Sequence, residues 1–271
     1  MLAPLPLLLA LAAPAGGEAA PPLPGAVAIS PHNHFIALDR GPQTHAYRLE
    51  NLGTLPIRLR VRASGFRLRE DYTIELDEAD PGLAAHTVFN PVEFALAPGS
   101  SQAVRFAVRP PALPPPGEHR LAMVFEQIPE PGEAPPPAEG TGITLRTQVR
   151  IVSAVYATVG EPTRRGALEA VRLEPDRLLT RIAATGEAHL RPRGTARIEP
   201  LAGGEARELP LSGLPVLPGE RRWVPHAFPD FRLEPGRYRV RLEGTLGESP
   251  LAASLEVSLE AEPGAGDGRS R

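Results

Sequence analysis

The sequence predicts an all-β protein of two immunoglobulin-like β-sandwich domains in tandem, and three observations carry that expectation. With 26 Gly and 34 Pro among 271 residues, more than a fifth of the chain is turn and breaker residues, which excludes a helical bundle or a long coiled coil. Several segments alternate apolar and polar residues with period two, the pattern of a half-buried strand. One order of turns and strands also occurs twice, so the chain reads as two units of one architecture. At 42% hydrophobic residues there is enough apolar material for packed cores. The roughly 240 residues between leader and tail suit two sandwiches of about 100 residues each.

Residues 1–20 open the chain. Leu2 to Ala13 are almost all Leu, Ala and Pro, a run shorter than the roughly 20 apolar residues that cross a bilayer. The small residues of Ala13-Pro14-Ala15 and Ala19-Ala20 follow it, which predicts a cleaved signal peptide and a periplasmic or secreted protein without membrane insertion. A first domain over 26–157 begins with Tyr47 and Leu49, then Ile57, Leu59 and Val61 on one face with Arg58, Arg60 and Arg62 on the other. Val104, Phe106 and Val108 alternate with Arg105, Ala107 and Arg109 in the same way. Residues 157–166 read as the linker. Within the second domain, 166–261, Gly166 to Leu173 is the best helical candidate, but it is short and closes on Pro175, so it reads as strand or loop. Tyr238, Val240 and Leu242 alternate with Arg237, Arg239 and Arg241. Residues 262–271 read as a disordered tail.

The repeat ties the halves together. Asn51-Leu52-Gly53 turns into 55–62, Ala97-Pro98-Gly99 precedes 102–109, and Pro116-Gly117 precedes 119–128. In the second half Thr185-Gly186 turns into 188–199, Leu217-Pro218-Gly219 precedes 221–228, and Pro235-Gly236 precedes 237–244. The two Pro-Gly turns lie 18 residues apart in the first copy and 17 in the second.

Composition removes several chemistries. The formal net charge is −3, with 29 basic residues, all Arg, against 32 acidic ones, so nucleic acid as a partner finds no support. Zero cysteines exclude disulfides, thiolate metal sites and cysteine nucleophiles. No Gly-x-Ser-x-Gly, phosphate loop, His-Glu-x-x-His or dinucleotide fingerprint is present, so neither an enzyme nor a cofactor is expected. His32 and His34 would share one strand face, with His45 available to join them, a spacing that suits a metal; ordinary surface histidines are the preferred reading. The arginine stripes read as solvated strand faces rather than a platform for an anionic surface. The cluster Glu70, Asp71, Glu75, Asp77, Glu78 and Asp80 does not follow the order of a calcium loop.

A family resemblance rests on three stretches. Pro91-Val92-Glu93-Phe94-Ala95-Leu96-Ala97-Pro98-Gly99-Ser100-Ser101-Gln102-Ala103-Val104-Arg105 comes first, then Glu118 to Pro129 with its Ile128-Pro129 ending, then Ile143-Thr144-Leu145-Arg146-Thr147-Gln148-Val149-Arg150-Ile151. In this order they resemble the N-terminal domain of the periplasmic pilus-assembly chaperones (PapD-like, chaperone–usher family), from Ile29 to Val159. The resemblance implies that the last strand of the first domain, 143–151, is lent to a pilin-like exported subunit, with an outer-membrane usher as a further partner. It implies that Ile143, Leu145 and Val149 plug the client's groove. It also implies that Arg150 and Asn33 hold a client carboxylate in the cleft between domains, Asn33 standing where the family carries an Arg. Glu118 falls on the family's interdomain acid, but Ala154 replaces its arginine, so the hinge is held differently. The competing reading is a secreted two-domain binding or surface-structural module with no strand lent, in which the three aliphatics line the domain's own core.

Overall fold

The structure is a computed structural model that describes residues 26–128 and 148–260. Its strands in the first domain are β1 (Val27–Ser30), β2 (His34–Ala37), β3 (His45–Asn51), β4 (Ile57–Leu68), β5 (Ile74–Asp77), β6 (Thr87–Asn90), β7 (Glu93–Leu96), β8 (Ser101–Val108), β9 (Gly117–Gln127) and β10 (Arg150–Val159). The second domain contributes β11 (Gly166–Glu174), β12 (Arg177–Ala184), β13 (Pro192–Pro200), β14 (Arg207–Pro210), β15 (Arg221–Ala227), β16 (Gly236–Leu246) and β17 (Ser249–Leu259).

In the first domain a sheet ordered β1-β3-β8-β6 faces a sheet ordered β2-β10-β9-β4, with β5 and β7 both paired to β4. Period-two alternation sends Tyr47, Leu49, Val104 and Phe106 inward from one layer and Leu59, Val61, Leu121, Met123, Phe125 and Val155 inward from the other. At Pro31 the chain passes from one layer to the other: β1 pairs antiparallel with β3, while β2 pairs parallel with β10. Asn51 serves the turn that the sequence marks. Buried, it donates its side-chain amide to the carbonyls of Leu55 (2.8 Å) and Leu96 (3.0 Å) and accepts from the Gly53 amide (2.9 Å).

The second domain stacks β11-β12-β15 on β14-β13-β16-β17. Leu178, Ile182 and Val224 pack there against Ala196, Ile198, Val240 and Leu242. Gly166–Glu174 is strand, as Pro175 suggests. Part of the predicted 188–199 strand is irregular: His189 and Leu190 lie before β13, which begins at Pro192.

The last strand of the first domain departs from expectation too. β10 continues through Val155, Tyr156 and Ala157 to Val159, eight residues past the expected end at Ile151, because those side chains are buried in or against the sandwich. No helix among the described residues is long and apolar enough to cross a membrane.

The arginine stripes are matched within the fold. Arg58 and Arg60 both reach Glu93 (2.9 and 2.8 Å), and Arg62 reaches Glu78 at 3.1 Å. In the second domain Arg237 and Arg239 share Glu256 (2.8 and 3.2 Å), and Arg241 approaches Glu199 at 3.5 Å. Cross-strand pairing of this kind leaves little charge for an anionic surface. Within the acidic cluster Asp77 pairs with Arg67 at 2.8 Å and Asp71 accepts the Thr73 amide at 2.9 Å.

Candidate functional site

The candidate site is the outer edge of β10 and the junction into which it runs. β10 is covered on one side by β9 along its whole length, from Arg150↔Glu126 to Val159↔Gly117. On its other side β2 pairs only with Val155 to Thr158. The Val149 carbonyl accepts the Gln127 amide at 2.8 Å, so alternation turns the backbone groups of Ile151 and Ser153 toward β9 and those of Arg150 and Val152 outward. Among the described residues no strand meets that outward edge.

Ser153 pins the start of the parallel pairing. Its hydroxyl donates to the His32 carbonyl (2.6 Å) and, having only one proton, accepts from the Tyr47 hydroxyl (2.8 Å). Burial drives the Tyr47 phenol well above its ordinary range, so it remains a donor. His34, next in the chain after Asn33, lies edge-on to Tyr47 (4.5 Å between centroids) and to His45 (5.5 Å). Burial, then the neighbouring His45, lowers its pKa, and burial lowers that of His45. His32 is exposed, and no group of three or more metal-ligating side chains occurs among the described residues.

The structure distributes the expected client-binding residues unevenly. Ile143 and Leu145 lie outside the described residues. Val149 is half-buried and, with Ile151, packs on the first domain's own core. Arg150 is exposed at the opening of β10, roughly 30 Å along the strand from Val159, where the linker begins. Asn33, half-buried, precedes the His34↔Val155 pair and is level with Ala154, roughly 13 Å along the strand from Arg150. The strand therefore separates Asn33 from Arg150 instead of bringing both to the cleft.

Of the residues that hold the junction, the motif reading named Glu118 and missed its partners. Phe66, Ala122, Val124, Ala154 and Tyr156, on the outer face of the β9–β10 sheet, enclose Leu217 of the second domain. This explains why Leu121 to Phe125 are apolar without interruption: the strand is covered on both faces. The Glu118 side chain is fully buried, and its Oε2 meets His189 Nδ1 at 2.5 Å. Ala154, where the resemblance places the hinge arginine, is opposite Ala122 rather than Glu118. At the other end of the junction Arg222 donates to the carbonyls of Leu68 (2.9 Å) and Arg69 and lies over the Tyr72 ring at 5.1 Å. An isolated His189 and an Arg222 on a short strand carry no sequence signal of this role; only the docking of the domains shows it.

No family model matches the chain. No curated protein matches it either. Among the solved structures with which the chain aligns are fimbrial chaperones. A chaperone–tip adhesin complex of CFA/I fimbriae biogenesis aligns at 11% identity and a TM-score of 0.46, covering 84% of this chain and 98% of that one. The Escherichia coli chaperone DraB aligns at 12% and 0.43, covering 88% and 99%. The CsuC–CsuE chaperone–tip subunit complex from archaic chaperone–usher Csu pili of Acinetobacter baumannii aligns at 12% and 0.44, covering 86% and 98%.

Proposed function

We propose that this protein is an extracytoplasmic chaperone-like protein that holds an exported, pilin-like polypeptide by strand addition along β10 and keeps it competent for assembly, with delivery to an outer-membrane usher. The observation that carries the reading is the outward edge at Arg150 and Val152, hydrogen-bonded to a neighbour on one side only among the described residues. Such an edge offers amides and carbonyls to an extended guest, and alternate side chains beside it select the guest. In this reading Ile143 and Leu145 supply the plug, at roughly 1.5–3 kcal/mol for each fully buried aliphatic side chain. Val149 sets the register from its seat on the core. Arg150 pairs with a carboxylate along the guest, and Asn33 donates a neutral hydrogen bond nearer the junction.

Val152→Pro tests the backbone part directly. The Val152 amide points away from β9, so proline there removes the donor offered to a guest while sparing the β9 ladder. Co-expressed with a pilin-like subunit, the folded variant is expected to lose co-purification, as is Leu145→Glu. Arg150→Ala is expected to weaken capture with an unchanged melting temperature. Capture retained by folded Val152→Pro would refute strand lending and leave the two sandwiches as a display module.

A further inference from the structure

The outward face of the β1-β3-β8-β6 sheet lies on the side of the first sandwich away from the second domain, which docks on the outer face of β9 and β10. Tyr47, Leu49, Val104 and Phe106 turn inward from β3 and β8, so alternation turns Arg48 and Arg105 outward. Arg109, one residue past β8, keeps the ladder by donating its amide to the His86 carbonyl at 2.8 Å, and it shares the outward direction of Arg105. All three arginines are exposed. Arg48 is level with Ser30 and Ala103, Arg105 with Ala46 and Asn90, and Val88 with Ala107. Arg48 and Arg105 are thus diagonal neighbours on adjacent strands, roughly 7–8 Å apart. Arg109 follows roughly 13 Å along the strand from Arg105.

These cations are not matched as the strand-face stripes are. Arg58 and Arg60 share Glu93, and Arg237 and Arg239 share Glu256. Among the described residues no carboxylate lies within ion-pair distance of Arg48, Arg105 or Arg109. Glu50, on the same face, sits one row beyond Arg48, level with Ala28 and Ser101. Positive charge therefore collects on one face of a chain whose formal net charge is −3.

The face also selects the kind of anion. β3 is paired on both sides, by β1 and β8, and β8 by β3 and β6, so the backbone here offers nothing to an extended peptide. The short side chains between the arginines leave the guanidinium groups standing clear of a flat sheet, with Val88, 53% exposed, beside them. Separated, fork-shaped donors on a flat face match a layer of phosphates better than one small anion. We propose that this face rests on an anionic lipid surface, its arginines paired with headgroup phosphates and no segment inserted into the hydrocarbon. Attraction to such a surface falls off within a Debye length, so the local excess of arginine outweighs the net charge of the chain. The contact uses no residue of β10, so it stands or falls separately from strand addition.

Protein purified after export is sedimented with vesicles of phosphatidylcholine alone, and with vesicles in which one lipid in three is phosphatidylglycerol. Sedimentation is expected with the anionic vesicles only, and is expected to be lost in about 1 M salt, where the Debye length is about 3 Å. Arg48→Ala with Arg105→Ala and Arg109→Ala is expected to lower partitioning about a hundredfold, about fivefold for each arginine, without moving the melting temperature. Arg237→Ala with Arg239→Ala and Arg241→Ala removes the same charge from a matched stripe and is expected to leave partitioning near that of the native chain. No sedimentation with anionic vesicles at low salt, equal sedimentation with neutral ones, undiminished sedimentation of the first triple variant, or an equal loss in both folded triple variants would overturn the assignment. Saturable capture of poly-L-glutamate without sedimentation on anionic vesicles would overturn it too, and give the face to an acidic polypeptide.

Discussion

Glu118 of the first domain and His189 of the second meet across the domain junction, Oε2 to Nδ1 at 2.5 Å, with side chains that are 0% and 4% exposed. The other carboxylate oxygen, Oε1, has no hydrogen-bond partner, although Arg120 lies 3.7 Å from it. The Glu118 carboxylate thus depends on His189. Removing the imidazole leaves a buried carboxylate short of donors, so His189→Ala is expected to cost about 3 kcal/mol. The two domains are then expected to melt in separate calorimetric transitions, while His189→Gln, which still has a donor, recovers part of the loss.

Arg222 closes the other end of the junction. Its two donors reach the Leu68 and Arg69 carbonyls, its Nε meets Glu220 at 3.0 Å, and Tyr72 lies beneath it. Lysine cannot reproduce this planar fork. Arg222→Lys is therefore expected to behave like Arg222→Ala: a loss of about 2 kcal/mol and a wider distribution of interdomain angles in small-angle scattering.

His226 confers an acid-sensitive limb on stability. Its Nδ1 must accept, because the Ser212 backbone amide donates to it at 2.8 Å, and its Nε2 then donates to Thr180 at 2.9 Å. Burial lowers its pKa from 6.5 to about 4. The folded value lies below the unfolded one, so the unfolded chain takes the proton first. Stability is complete above pH 6.5 and falls as pH drops toward about 4, by about 3 kcal/mol at most. Denaturant midpoints measured through this window should fall more steeply for the native chain than for His226→Gln.

Ser153 couples Tyr47 to the start of β2, and a double-mutant cycle isolates that link. Ser153→Ala strands the buried Tyr47 hydroxyl and is expected to cost about 2 kcal/mol. Adding Tyr47→Phe removes the orphaned group, so the pair of changes should cost less than the sum of the single changes. Faster amide exchange in β2 than in β9 is the expected accompaniment in Ser153→Ala.

Much of the architecture was legible along the chain, and particular residues show why. Leu59 beside Arg60, or Val240 beside Arg241, states its own inward and outward direction, because a strand alternates faces at every residue. The turn at Asn51-Leu52-Gly53 announces itself through the one side chain able to satisfy its carbonyls. The reach of β10 was less legible: 157–159 were read as the start of the linker, and the pairing of Val155 to Thr158 depends on β2 lying alongside them. For the site, Val149 and Ile151 carry a period-two signature that is the same for a plug and for a core, so only packing assigns them.

By itself the sequence determined the all-β class and several of the central strands, among them β4, β8, β9 and β16, since hydrophobic period and turn chemistry are local properties of the chain. The tertiary structure decided which edge of β10 has no partner strand among the described residues, and how the domains are joined. Those are relations between residues such as Glu118 and His189, 71 apart in sequence, whose proximity follows from docking two folded surfaces and from no local pattern in either.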